Sequence, residues 1–215
     1  MLVQVLVVIC SSCGNIHKND TLKRFSIPAT ETIRPWGEPE REWPIYGVNN
    51  KEGVFLSSIQ FGKEFNAPYK KIEKGWFFHN PTRANVGSLG IVPEVPSDAI
   101  TSPEYQVWRL RGGFLPEFMA LMLRTDFFLA LVAFNRVGGV KKRMYYANLA
   151  EIRLPEIPTE VQKNFADRRG EILANIKEAN ERLDHRKKRK MTFLPSRTPV
   201  KTRWVMGESG VAPCQ

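Results

Sequence analysis

Apolar positions follow three successive patterns along the chain. Across residues 43–110 they come in short bursts, "PIYGV", "VFL", "WFF", "SLGIV" and "YQVW", parted by Asn, Gly, Pro and Lys. Bursts of this length between turn-forming residues predict strands. Residues 45–48 and 54–56 flank Asn49-Asn50-Lys51-Glu52-Gly53 and form a candidate hairpin with a longer loop. "YKKIEKGWFF" repeats the idea, with a turn at Lys74-Gly75 before an apolar strand at 76–78. Residues 88–92 and 105–110 are further strands, separated by the loop 93–103. Short strands in this number suggest a curled, mostly antiparallel sheet.

The pattern changes at Leu115. "LPEFMALMLRTDFFLALVAFNR" is rich in helix formers, and Pro116 suits a first helical turn. Arg124, Thr125 and Asp126 in its middle would each be costly inside a bilayer. The segment therefore reads as one helix, or two broken near Thr125, largely buried in a soluble core. "GGVKKRMYYANLAEIRLPEIP" then gives a glycine-rich basic loop, a short helical turn and a strand.

The third pattern runs from Thr159 to about Lys190. Val161, Phe165, Arg169, Ile172, Ile176, Ala179 and Leu183 fall mainly on an a/d seam, with Arg169 its one charged member and Gly170 a weak spot. Lys163, Asp167, Glu171, Lys177, Glu178, Glu181 and Arg182 flank it as a solvated exterior. So narrow a seam suits a partner helix; packing on the helix's own domain is the alternative. The fold class is thus α+β, a curled mostly antiparallel sheet domain with packed helices followed by a long coiled-coil helix. The segments are 1–41, an uncertain N-terminal stretch; 42–157, the sheet domain; 158–190, the long helix; and 191–215, a basic tail expected to be disordered.

Residues 14–44 are polar and punctuated by Pro28, Pro35, Pro39 and Pro44, which predicts loop with at most a short strand. The opening "MLVQVLVVIC" is too short to span a bilayer and lacks the basic leader of a secretory signal. A buried strand is expected there, or sequence read from an upstream start. Cys10 and Cys13 have C-x-x-C spacing, but no second pair completes a zinc site and Gly14-Asn15 reads as a turn. With Cys214 they read as incidental thiols of a reducing cytoplasm.

Charge adds a direction. The formal net charge is +10, and from His185 to Arg203 there are eight Lys or Arg and no acid. Such a stretch favours nucleic acid or an anionic surface, or is simply a solvated tail. Catalytic signatures are missing: there is no Walker loop, H-E-x-x-H or G-x-S-x-G, and His17, His79 and His185 have no ligand spacing. Asn80-Pro81 resembles the start of an amino-methyltransferase loop, but Thr82-Arg83 replaces the rest of that motif. No cofactor or metal is expected, and the chain reads as a binder.

"YKKIEKGWFFHNPTRANVGSLGIVPE", "ITSPEYQVWRL", "PEFMALMLRTDFF" and "GGVKKRMYYANLAEIRLPEIPTEVQK" come in this order over about residues 43–183. Together they resemble the DNA specificity subunit of type I restriction-modification systems. The N-P-x-R-x-N-x-G-S segment and the "P-x-I-P-x-E-x-Q" entry to the long helix carry most of that likeness. Such subunits usually hold two target recognition domains, each followed by a long helix, with the two helices antiparallel as a spacer. Each domain reads half of a split DNA site, while methylation and cleavage belong to separate subunits. The resemblance implies a non-enzymatic, cytoplasmic half-subunit. Residues 42–157 would be the recognition domain and 158–190 the spacer or dimerisation helix.

Its partners would be double-stranded DNA, a DNA methyltransferase (modification) subunit and a restriction subunit. A homodimer through Phe165, Ile172, Ile176 and Leu183 would mimic the full subunit; a helix of the methylation subunit is the rival. DNA would meet Arg83 and Asn85, or these would tie down their own turn. Arg136, Lys141, Lys142 and Arg143 form the second candidate group, with Gly138-Gly139 letting the backbone approach a phosphate; a solvated loop is the alternative. The competing function is a remnant interaction protein working through its helix and basic tail without reading DNA.

Overall fold

The computed structural model of the chain describes residues 19–192, with side chains to 187. The N-terminal apolar run with Cys10 and Cys13, and the basic segment from residue 193 on, lie outside the described residues. The chain divides into a compact unit ending at Gly170 and a second beginning at Glu171.

The first unit is α+β. A five-stranded sheet has the order β3 (Thr32–Ile33), β6 (Tyr69–Lys71), β9 (Ile100–Thr101), β4 (Glu42–Asn49), β5 (Gly53–Phe61). A four-stranded sheet has β2 (Ser26–Pro28), β10 (Gln106–Leu110), β7 (Phe77–His79), β8 (Leu89–Ile91). A third pairs β1 (Asn19–Thr21) with β11 (Arg153–Pro155). Every ladder among the described residues is antiparallel except β4 with β9. The expected β4–β5 hairpin is present, with the bulge that shifts its register between Ile45 and Tyr46.

The four-stranded sheet is buried on both faces, which explains why "WFF" is continuously apolar. Side chains alternate along a strand. Phe77 and Trp108 therefore join one core cluster, stacked with ring centroids 4.5 Å apart, while Phe78 and Val107 join a second. The first cluster also takes Met119, Leu123 and Phe128 from two helices, α2 (Pro116–Met122) and α3 (Asp126–Phe134). Those helices part near Thr125, as the sequence suggested. Thr125 Oγ1 donates to the Met122 carbonyl at 2.8 Å and accepts from the Phe128 amide at 3.1 Å. One hydroxyl thus closes one helix and caps the next.

Two expectations need correction. The strands on either side of Lys74-Gly75 do not form a hairpin, because β6 pairs with β3 and β9 while β7 pairs with β10 and β8. Residues 19–41 are not mainly loop: they supply β1, β2, β3 and the helical turn α1 (Leu22–Phe25). Leu22 and Phe25 sit in the first core cluster, so this stretch is part of the sheet domain's packing.

Behind the short helix α4 (Tyr146–Ala150) and β11, the long helix α5 covers Thr159–Thr192. Its start is fixed by Gln162, which is buried. Gln162 Nε2 donates to the Ile157 and Gly113 carbonyls at 2.7 and 2.8 Å, and Oε1 accepts from the Leu115 amide at 2.8 Å. This satisfies three backbone groups, of which the Ile157 carbonyl is one that burial would otherwise leave unpaired. The Gln of the P-x-I-P-x-E-x-Q motif is a staple holding α5 to the start of α2.

Candidate nucleic-acid interface

The stretch after β7 is a tight turn built on Asn80. Its carboxamide oxygen accepts from the Thr82 amide at 3.0 Å and the Thr82 hydroxyl at 2.8 Å, an Asx turn. The Arg83 carbonyl accepts from Ser88 at 3.1 Å, and Asn80 N–H donates to the Ser88 carbonyl at 3.0 Å, closing the loop. Gly87 has φ +89°, and a Cβ there would lie 3.1 Å from Cβ of Asn50, so no other residue fits easily. Ala84 is buried beneath, Arg83 is exposed and Asn85 half-buried. The turn is thus held by Asn80 and backbone, with Arg83 and Asn85 making no side-chain hydrogen bond among the described residues.

The basic loop lies beside this turn. Val137 and Arg143 exchange backbone hydrogen bonds of 2.9 and 2.7 Å, pinching residues 138–142 into a protruding tip. Gly138 has φ +111°, which lets the chain reverse there. Lys141 and Lys142 are exposed. Arg143 is partly occupied, 3.6 Å from the exposed Glu104 carboxylate.

Three contacts clamp the two loops together. Met144 N–H donates to the Pro81 carbonyl at 2.8 Å. His79 Nε2 bonds the Met144 carbonyl at 2.9 Å. Arg136 Nη2 donates to the Thr82 carbonyl at 3.2 Å and also to the Lys142 carbonyl. Arg136 thereby acts as a strut between loops, its guanidinium turned to carbonyls. His79 is fully buried, and burial holds its pKa down at about 4, against the opposing pull of the Met144 carbonyl. It stays neutral, with Nε2 as donor because a carbonyl only accepts.

The β4–β5 turn completes the edge. Asn50 packs over Gly87, and its carbonyl accepts from Arg124 Nη1 at 2.6 Å. Exposed Lys51 and Arg124 thus join the neighbourhood of Arg83. Sequence reading did not single out either one. Arg124 figured there only as a charge unwelcome in a bilayer, and the contact that places it lies far along the chain.

The residues assigned to the α5 seam fall into two groups. Phe165 packs against Phe118, ring centroids 6.1 Å apart, and with Val161 lies against the first core cluster. In the second unit Ile172, Ile176 and Leu183 are each about half exposed (51%, 51% and 52%), as is Leu173, which lies outside the a/d spacing. Among the described residues no group of His, Cys, Asp or Glu is placed to hold a metal, and no helix is long and apolar enough to cross a membrane.

No family model matches the chain, and no curated protein matches it in sequence. Solved structures do share its fold. The HsdS subunit from Thermoanaerobacter tengcongensis aligns with a TM-score of 0.62 at 20% identity, covering 81% of this chain and 46% of the subunit. A chain from a structure of complex assembly and conformational transition in the type I R-M system gives 0.62 at 18% identity, covering 81% and 47%. The chain spans just under half the length of each. It shares the fold of just under half of the HsdS subunit chain, with the long helix α5 at its end.

Proposed function

We propose that the chain is a sequence-specific DNA recognition module that directs the methyltransferase and restriction subunits of a type I system to a split site. It does no chemistry of its own; methylation and cleavage fall to those partners. The observation that carries this reading is the clamp that fixes two cation-bearing loops side by side on an HsdS-like fold. Lys51, Arg124, Lys141 and Lys142 hold phosphates, and Arg83 and Asn85 are presented to base edges, where Arg suits guanine and Asn adenine. Residues 19–157 form the recognition domain and α5 the spacer.

The exposed apolar face of α5 is the assembly surface, paired with the same helix of a second copy. A two-fold pair of this kind reads a palindrome split by a spacer. That same face also favours a second reading, an interaction protein that works through its helix without reading DNA. Selection from random duplexes separates the two. The full chain, alone and with a methylation subunit, should enrich a split sequence over competitor DNA. Retention of duplex without enrichment of any sequence sinks the recognition reading.

A further inference from the structure

We infer that Val140 is a specificity residue that takes the C5-methyl group of a thymine in the major groove. The inference rests on the DNA-recognition reading above and goes beyond it to one side chain and one chemical group. Val140 stands at the tip of the basic loop and is fully exposed, at 104% of its reference accessibility. An apolar tip adds nothing to its own fold, since the side chain buries none of its surface there. The loop beneath it is nevertheless firmly held. The Val137–Arg143 bonds close its base, and the Met144 contacts with Pro81 and His79 fix that base to the neighbouring turn. A well-held loop thus presents a valine outward, followed in the chain by the exposed Lys141 and Lys142.

Shape selects the groove. The loop is a five-residue tip closed by the one bridge between Val137 and Arg143, so two chain segments run side by side there, about 4.8 Å apart before side chains are added. Two adjacent segments with their side chains fit the major groove, about 12 Å wide, and are too broad for the minor groove at about 6 Å. Chemistry then selects the base. Apart from ring C–H groups, what the base edges display in the major groove are hydrogen-bond donors and acceptors, and the one alkyl group is the thymine methyl. A valine tip has no partner among the polar groups, and burying its surface against that methyl excludes water from both. Lys141 and Lys142 meanwhile reach the phosphates that flank the contacted base.

The test uses the full chain, in whichever assembly enriches a split site, and measures binding to that site. Each thymine is replaced in turn by deoxyuridine, which removes only the methyl. Wild-type affinity should fall about fourfold at one thymine position, the loss expected for one buried methylene-sized group. Val140→Ala should bind the thymine site more weakly and show a smaller loss on the same replacement. Circular dichroism of the variant should be unchanged, since the side chain packs on nothing. Deoxyuridine replacements without effect at every position overturn the inference while recognition stands, as does an equal loss in Val140→Ala or a selected site with no thymine. Failure to select any sequence overturns the recognition reading and this inference with it.

Discussion

His79 donates its Nε2 proton to the carbonyl of Met144 at 2.9 Å from a fully buried position, joining a strand end to a loop far along the chain. Burial lowers its pKa from 6.5 to about 4. The unfolded chain therefore takes up a proton between these values that the folded chain refuses. Stability from this site is complete above pH 6.5 and is lost as pH falls toward 4, by about 3 kcal/mol in all. His79→Gln keeps an amide donor without a titrating group. Urea denaturation at pH 7 and 4.5 should show a weaker pH dependence in the variant. The same dependence in both proteins rules the account out.

Gln162 gives the clearest stability test. Gln162→Leu leaves the Ile157 carbonyl without a partner in a buried place and frees the Leu115 amide and the Gly113 carbonyl at its partly exposed edge. A buried unpaired group costs about 1–3 kcal/mol, and water can reach the other two, so the total should be about 1.5–4 kcal/mol. Gln162→Glu retains an acceptor for Leu115 but turns a carboxylate on two carbonyls, so it should be no better. Chemical denaturation measures both. A change under about 0.5 kcal/mol in Gln162→Leu removes the staple from the argument.

Arg136 and the two tip lysines should separate in their effects, though all belong to one basic segment. Lys141→Ala with Lys142→Ala should leave the melting temperature alone and weaken binding to all duplexes alike. Loss of two phosphate contacts should reduce the slope of log affinity against log salt by about 1.8. Arg136→Ala removes the strut to Thr82 and Lys142 and should lower stability, by about 1–3 kcal/mol. If Arg136→Ala instead changes only the salt slope, its guanidinium faces DNA and the strut is wrong.

These contrasts show how far the sequence could be read. Thr125 was legible as a break because capping is local, and Pro116 marked its helix for the same reason. The Asn49–Gly53 turn was legible through its neighbours in the chain. Strands of two or three residues, such as β2 and β3, are too short to show a period, and their partners are remote. Hence residues 19–41 looked like loop, and the strands flanking Lys74-Gly75 like a hairpin. The site divides in the same way. "NPTRANVGS" and "NRVGGVKKR" stood out by composition, but nothing local says that they touch. Arg136 could not be told from Lys141 by residue type, because its carbonyl partner Thr82 lies 54 positions away. Phe165 fits the heptad seam as well as Ile172 does, and only tertiary packing assigns it to Phe118.

The face of α5 beyond Gly170 makes the last prediction. Ile172, Leu173, Ile176 and Leu183 each keep about half their surface in water. Full burial of such a side chain is worth about 1.5–3 kcal/mol, so covering half of each on four residues favours association well beyond a marginal contact. Two copies paired antiparallel satisfy this with the narrow seam that the heptad spacing provides. Phe165, engaged with Phe118, should take little part, and Phe165→Ala should affect stability more than association. Sedimentation at tens of micromolar is expected to give a dimer, and Ile172→Asp to give a monomer with the sheet domain still folded. A wild-type monomer unchanged by Ile172→Asp would leave the helix for a partner of different sequence. The methylation subunit is then the first to test, by titrating it against both proteins and asking which one it binds.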